Sequence, residues 1–184
     1  MIKKLLLIFS FVSLLTIAFS GTTYAAQEGE KSTESLASTL KILNNLYNEG
    51  YIYASKIKQL VIDLNIKNQF IWGGFQPQIP ELMCAIDILV HPCEVEGFGR
   101  IAIESMAAGN PVIGPMAGGI AETVENNSTG ILVEPGDIDS FADVVENLII
   151  NDKLRMQLGT QAKQHVANSF SISAHTNKIT EVYD

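Results

Sequence analysis

The chain is 184 residues long, 47% hydrophobic and 17% charged, with 12 Lys+Arg against 20 Asp+Glu for a formal net charge of −8. That length suits one domain; the apolar content excludes an intrinsically disordered chain, and the acidity disfavours a nucleic-acid footprint or a polybasic lipid-binding surface. Two cysteines, Cys84 and Cys93, are too few for a disulfide framework, and the six prolines and fourteen glycines mark turns rather than low-complexity tracts.

In chain order, Lys3 and Lys4 precede an apolar run from Leu5 to Phe19, broken only by Ser10, Ser13 and Thr16, and small polar residues follow to Ala26. A basic start, a short greasy middle and a small-residue end read as a secretory signal peptide over residues 1–25, with Thr23 and Ala25 preceding the cut. The run is shorter than the roughly 20 apolar residues a spanning helix needs, so an uncleaved membrane anchor is the lesser alternative. Export to the periplasm or the medium is therefore the expected localisation.

Residues 26–50 read as a helical lead-in, capped at Ser32-Thr33-Glu34 and stopped at Gly50, and residues 51–184 read as the folded domain. A helix with Ile57, Leu60, Val61 and Leu64 on one face precedes a short strand, Phe70-Ile71-Trp72, ended by Gly73-Gly74. Pro80 suits the first turn of a helix through Cys84, and Ile86 to Val90 has the continuous apolar character of a buried strand. Helix 101–108, strand 112–113, helix 120–124 and strand 131–133 follow, then three helices over 138–150, 153–168 and 173–183. Alternating strands and helices predict βαβ units: an α/β domain with a parallel sheet covered on both faces.

The chemistry concentrates between His91 and Gly136. In such sheets ligands bind outside the carboxyl ends of the strands, and two strand-to-helix crossings there carry glycine. In the first, Gly97 and Gly99 let the backbone approach a ligand, and a helix from about Arg100 aims its N–H groups at the same spot, as a phosphate or diphosphate requires. Glu96 lies in the loop and Glu104 one turn into the helix, seven residues between them. A carboxylate at Glu104 can accept bonds from paired ribose hydroxyls, and Glu96 is placed for sugar hydroxyls; the plainer reading of Glu104 is a solvated i,i+4 partner of Arg100. The second crossing, from Gly114 to Ile120, brings Gly118 and Gly119 to another helix start.

Asp137-Ile138-Asp139 follows Pro135-Gly136 and reads as a helix cap rather than a metal-binding carboxylate pair. His91, at the end of a buried strand, reads as a core residue, and His165 and His175 lack the spacing of metal ligands.

Taken together, the motifs resemble the donor-binding half of the retaining glycosyltransferases of family four, also called group 1, which have the two-domain GT-B architecture. HPCEVEGFG resembles that family's His-Pro-Ser…Glu-Gly-Phe-Gly stretch, Glu96 and Glu104 match its Glu-seven-Glu motif, and AAGNPVIG and AGGIAETVENNSTGILVEPGD match the segments that follow in order. NQFIWGGF resembles the strand and glycine turn, including Gly74, against which the nucleotide base packs. Arg100-Ile101 replaces the family's usual Leu-Pro, and Cys93 stands where Ser is usual.

The resemblance implies an incomplete Rossmann-like sheet of the GT-B C-terminal half, and transfer of a glycosyl group with retention from a nucleotide-sugar donor to an acceptor the sequence does not define. It also implies that Glu96 is the catalytic residue meeting the transferred sugar. Glu104, Gly97, Phe98, Gly99, Arg100, Gly118, Gly119 and Gly74 would bind the donor, with neither cofactor nor metal. Family members carry an acceptor domain and the first donor-domain strands before this region, and residues 27–50 contain no such strand signature. The chain is therefore expected to be truncated, with its sheet split unless the strands at 70–72 and 86–90 pair directly, and a protein partner would supply the acceptor domain. The alternative is an exported, non-catalytic binding module or a remnant of a glycosyltransferase.

Overall fold

The computed structural model describes residues 5–10, 14–19, 54–73 and 76–183. The expected lead-in over 26–50 lies outside the described residues, as does Gly74. Strands β1 (Leu5–Ser10), β2 (Leu14–Phe19), β3 (Phe70–Trp72), β4 (Ile88–Val90), β5 (Val112–Pro115) and β6 (Gly130–Val133) form one six-stranded sheet in the order β3-β1-β2-β4-β5-β6. The helices are α1 (Ala54–Asp63), α2 (Ile79–Cys84), α3 (Arg100–Ala108), α4 (Gly118–Thr123), α5 (Ile138–Ile150), α6 (Asp152–Ser169) and α7 (Ile172–Tyr183).

Strands β4, β5 and β6 pair in parallel, as does β1 with β3. Strand β2 runs antiparallel to both its neighbours, β1 and β4. Five strands thus share one direction and β2 opposes them. The sheet is not split, and β3 and β4 do not pair directly: the β1–β2 pair fills the space between them, with Leu7 opposite Trp72 on one side and Ile17 opposite Val90 on the other. Residues 5–10 and 14–19, whose sequence reads as part of the apolar run of an export signal, are therefore strands here. Two six-residue apolar stretches are strand-length, and periodicity alone does not separate a buried strand from a buried helix.

The α/β class expected from the sequence is the one observed, and alternation along the strands explains its two-sided core. Ile88, Val90 and Ile113 face one side, where they pack with Val61, Phe70, Val145 and Leu148. Leu89 and Val112 face the other, with Met83, Ala102, Met106 and Ile120. So α1 and α5 cover one face, and α2, α3 and α4 the other, while α6 contributes Leu158 to the first cluster and Ala162 to the second. Removing a fully buried side chain such as Leu89 or Met106 would cost about 2–5 kcal/mol.

Two details lock α3 in place. The buried Asn110 amide donates to the Met83 carbonyl at 2.6 Å, tying the end of α3 to α2. At Gly159 a Cβ would lie 2.1 Å from the Gly109 carbonyl oxygen, so only glycine lets α6 approach α3 this closely. Asp137 caps α5 by accepting from the Ser140 N–H at 3.0 Å, as its sequence context predicts, and hydrogen bonding from Ser140, its side chain first and then its main chain, holds the Asp137 carboxyl below the usual carboxylate range.

Candidate functional site

The β4–α3 crossing and the start of α4 meet at one end of the sheet. Strand β4 is followed by His91, whose N–H donates to the Ile113 carbonyl at 2.8 Å and extends the β4–β5 ladder. The chain then turns through Pro92 to Phe98 and enters α3 at Gly99, which is left-handed at φ 79° and ψ 39°. A side chain there would be strained, and its Cβ would lie 2.9 Å from the Ile120 side chain. Arg100 is the first helical residue, so the helix starts at the expected place without the family's proline. Of its first-turn N–H groups, that of Ala102 donates to the Gly99 carbonyl at 2.9 Å, and those of Arg100 and Ile101 precede the first intrahelical acceptor and face the loop.

Glu96 folds back into this loop. Its Oε1 accepts the Gly99 N–H at 3.2 Å, its main-chain carbonyl accepts the Gly119 N–H at 2.8 Å, and its Oε2 lies 3.5 Å from His91 Nε2. His91 is fully buried, and burial lowers its pKa from 6.5 to about 4 against the opposing pull of the Glu96 carboxylate. At neutral pH His91 is therefore an uncharged imidazole beside Glu96. His91 is thus the core residue its sequence position suggests, and it also backs Glu96.

Gly118 and Gly119 are drawn into the same cluster by close approach. A Cβ on Gly119 would lie 2.5–2.7 Å from the backbone of Phe98, and one on Gly118 would lie 2.7 Å from the Glu96 carbonyl oxygen. The structure therefore gathers Glu96, Gly97, Phe98, Gly99, Arg100, Gly118 and Gly119 around the mouth of α3. Glu104 sits one turn along the helix and is half-buried, with Oε1 3.3 Å from Arg100 Nη2. The i,i+4 pairing that its sequence spacing allows is the one present.

Sequence reasoning missed a set of residues beside the loop. The Phe98 ring, half exposed, meets the Phe170 ring edge-on at 6.4 Å. Phe170 in turn meets His165 at 5.5 Å, and His165 Nδ1 lies 3.2 Å from Glu125 Oε1. No local pattern announces a contact across 72 residues of sequence. A groove of about 480 Å³ lined by Gly109, Met156, Gly159 and Lys163 lies at the opposite end of α3, away from this cluster. Among the described residues, no group of three or more His, Cys, Asp and Glu side chains gathers as a metal site, and no helix is long and apolar enough to cross a membrane.

Comparison with known proteins agrees with this geometry. Residues 50–165 match the family model of the glycosyl transferases group 1. N-acetyl-alpha-D-glucosaminyl L-malate synthase of Bacillus anthracis is 34% identical over 128 residues, 70% of this chain and 32% of that protein. The capsular polysaccharide biosynthesis glycosyltransferase CapM of Staphylococcus aureus is 34% identical over 99 residues, 54% of this chain and 26% of that protein. The chain thus matches about a third or less of the length of these relatives.

Among solved structures, the C-terminal domain of the group 1 family protein LpcC of Francisella tularensis superposes with a TM-score of 0.63 at 26% identity, covering 79% of this chain and 83% of that one. The Anabaena HepE protein in complex with UDP superposes with a TM-score of 0.67 at 25% identity, covering 83% and 45%. With the family model spanning more than half of its length, this chain belongs to the glycosyl transferases group 1.

Proposed function

We propose that this domain binds a nucleotide-sugar donor at the mouth of α3 and serves glycosyl transfer with retention at the anomeric carbon. The observation that carries the reading is the folded-back Glu96, bonded to the Gly99 N–H and backed by neutral His91, in a chain whose solved relative HepE holds UDP. The N–H groups of Arg100 and Ile101, with the Arg100 guanidinium, oppose the charge that develops on a leaving nucleotide diphosphate. Preorganised donors of this kind need no resident metal or cofactor. Glu96 addresses the hydroxyls of the transferred sugar, and Glu104 exchanges its Arg100 contact for the ribose hydroxyls of the donor. The acceptor is contributed from outside this domain, whether by a protein partner or by a preceding acceptor-binding domain.

Isothermal titration with UDP, UDP-glucose and other nucleotide sugars tests this. A nucleotide sugar should bind, and Glu104→Ala should weaken it by about 10- to 100-fold, the loss of a hydrogen-bonded charged group. Absence of binding for every donor would reject the reading. A second reading, a non-catalytic binding module, draws on the Arg100–Glu104 contact and predicts that Glu104→Ala changes nothing.

We also propose export, on the strength of Lys3, Lys4 and the apolar run. Cleavage after Ala25 and the β1–β2 pairing are mutually exclusive uses of the same residues. The intact mass of the protein recovered outside the cell distinguishes them.

A further inference from the structure

We infer that Phe170 is a positioning residue for the Gly97-Phe98-Gly99 loop, holding it from the far end of α6 through the Phe98 ring. The functional meaning of this inference rests on the donor reading above; its mechanics do not. Phe98 stands between two glycines, so the local backbone has little stiffness of its own. One side of it is fixed by backbone contact, because the absent Cβ of Gly119 leaves α4 against the Phe98 main chain. The other handle is the ring. It meets Phe170 at 6.4 Å with an interplanar angle of 70°, the edge-to-face geometry that aromatic quadrupoles favour.

Phe170 is itself well anchored. It ends α6, its N–H donating to the Val166 carbonyl at 2.9 Å, and its ring meets His165 edge-on at 71°. His165 Nδ1 reaches Glu125 Oε1 at 3.2 Å, and Glu125 Oε2 accepts from Ser128 at 3.2 Å. Four side chains in series, Phe98, Phe170, His165 and Glu125, therefore join the glycine loop to the end of α6 and to the turn before β6. A loop held this way presents its N–H groups already aligned, and a ligand that needs them does not bear the cost of ordering them.

Hydrogen exchange on the full chain without ligand provides the test, using Phe170→Leu, Phe170→Tyr, Phe98→Ala and the Phe98→Ala/Phe170→Leu double variant. The amides of residues 97–100 should exchange roughly three- to tenfold faster in Phe170→Leu, the range of one aromatic edge contact, and return to the parent rate in Phe170→Tyr. The double variant should be no faster than Phe98→Ala alone. Phe98 is half exposed, so its removal keeps the test open if Phe170→Leu fails to fold. Unchanged exchange at 97–100 in both single variants would overturn the inference, as would equal acceleration in β4 and β5, which would make Phe170 merely structural. A parallel titration with UDP-glucose should show affinity falling by the same factor. If the parent chain binds no donor, the donor reading fails, while the exchange data still judge the Phe98–Phe170 contact.

Discussion

Gly119→Ala is the sharpest single perturbation of the site. The added Cβ would lie 2.5 Å from Phe98 Cα, 2.6 Å from its carbonyl carbon and 2.7 Å from its nitrogen, all main-chain atoms with no rotamer to yield. Ordinary contact needs 3.4–4 Å, so α4 and the glycine loop must separate by about 1 Å. Forced overpacking of this kind costs about 1–3 kcal/mol, and alanine's better helix propensity returns about 0.5–1 kcal/mol, leaving a net loss of up to about 2.5 kcal/mol. The larger effect falls on binding. The Gly119 N–H bond to the Glu96 carbonyl is stretched, and the donors at the mouth of α3 shift together; a misplacement of about 1 Å in a positioning element can cost on the order of a hundredfold. Urea denaturation measures the first effect and titration with a nucleotide sugar the second. Gly97→Ala is the stability control, since nothing lies within 4 Å of its Cβ. If Gly119→Ala proves as stable as Gly97→Ala and binds donor as the parent does, the close-approach reasoning is wrong.

Other outcomes follow from groups around the same sheet. His91 has a folded pKa near 4 against 6.5 in the unfolded chain, so the unfolded state binds more protons between those values. Stability should be full above pH 6.5 and fall by up to about 3 kcal/mol as pH drops toward 4; urea midpoints across that window should lose that component of the slope in His91→Asn. Asn110→Ala leaves the buried Met83 carbonyl without its 2.6 Å donor and should cost about 1–3 kcal/mol by the same assay, with donor affinity little changed. A chain beginning at Ala26 lacks β1 and β2 and should unfold less cooperatively than the full chain, because β3 and β4 lose their intervening partners. A transition as sharp as the parent's would show that the β1–β2 pair is dispensable.

The elements from residue 54 onward were legible because each has a local cause: period-3.6 apolar faces in α1 and α5, a continuous apolar run at Ile88–Val90, and glycine where α3 ends. The glycines at 99, 118 and 119 were legible because close backbone approach leaves glycine as its signature, whereas Gly97 has open space around its Cβ. The β1–β2 pair was not, since a strand and a signal's apolar core share composition, and pairing to β3 and β4 is decided by partners more than fifty residues away. Phe170 and His165 were illegible for the same reason: their role depends on where α6 ends in space. Glu104 has two readings from sequence, and the structure shows the contact with Arg100.

The lone reversed strand sets the order of events at the ribosome. Leu5–Phe19 is synthesised first but its outer partners, Phe70–Trp72 and Ile88–Val90, appear last among the four. At 5–20 residues per second the apolar segment waits on the order of 4–14 seconds before Val90 is made, with its greasy side chains unclaimed. If the proposed export operates, a translocation factor would compete with the nascent sheet for this stretch during that interval, and a race rather than affinity would decide the outcome. Slower elongation between codons 20 and 90 would favour the factor, and faster elongation the sheet.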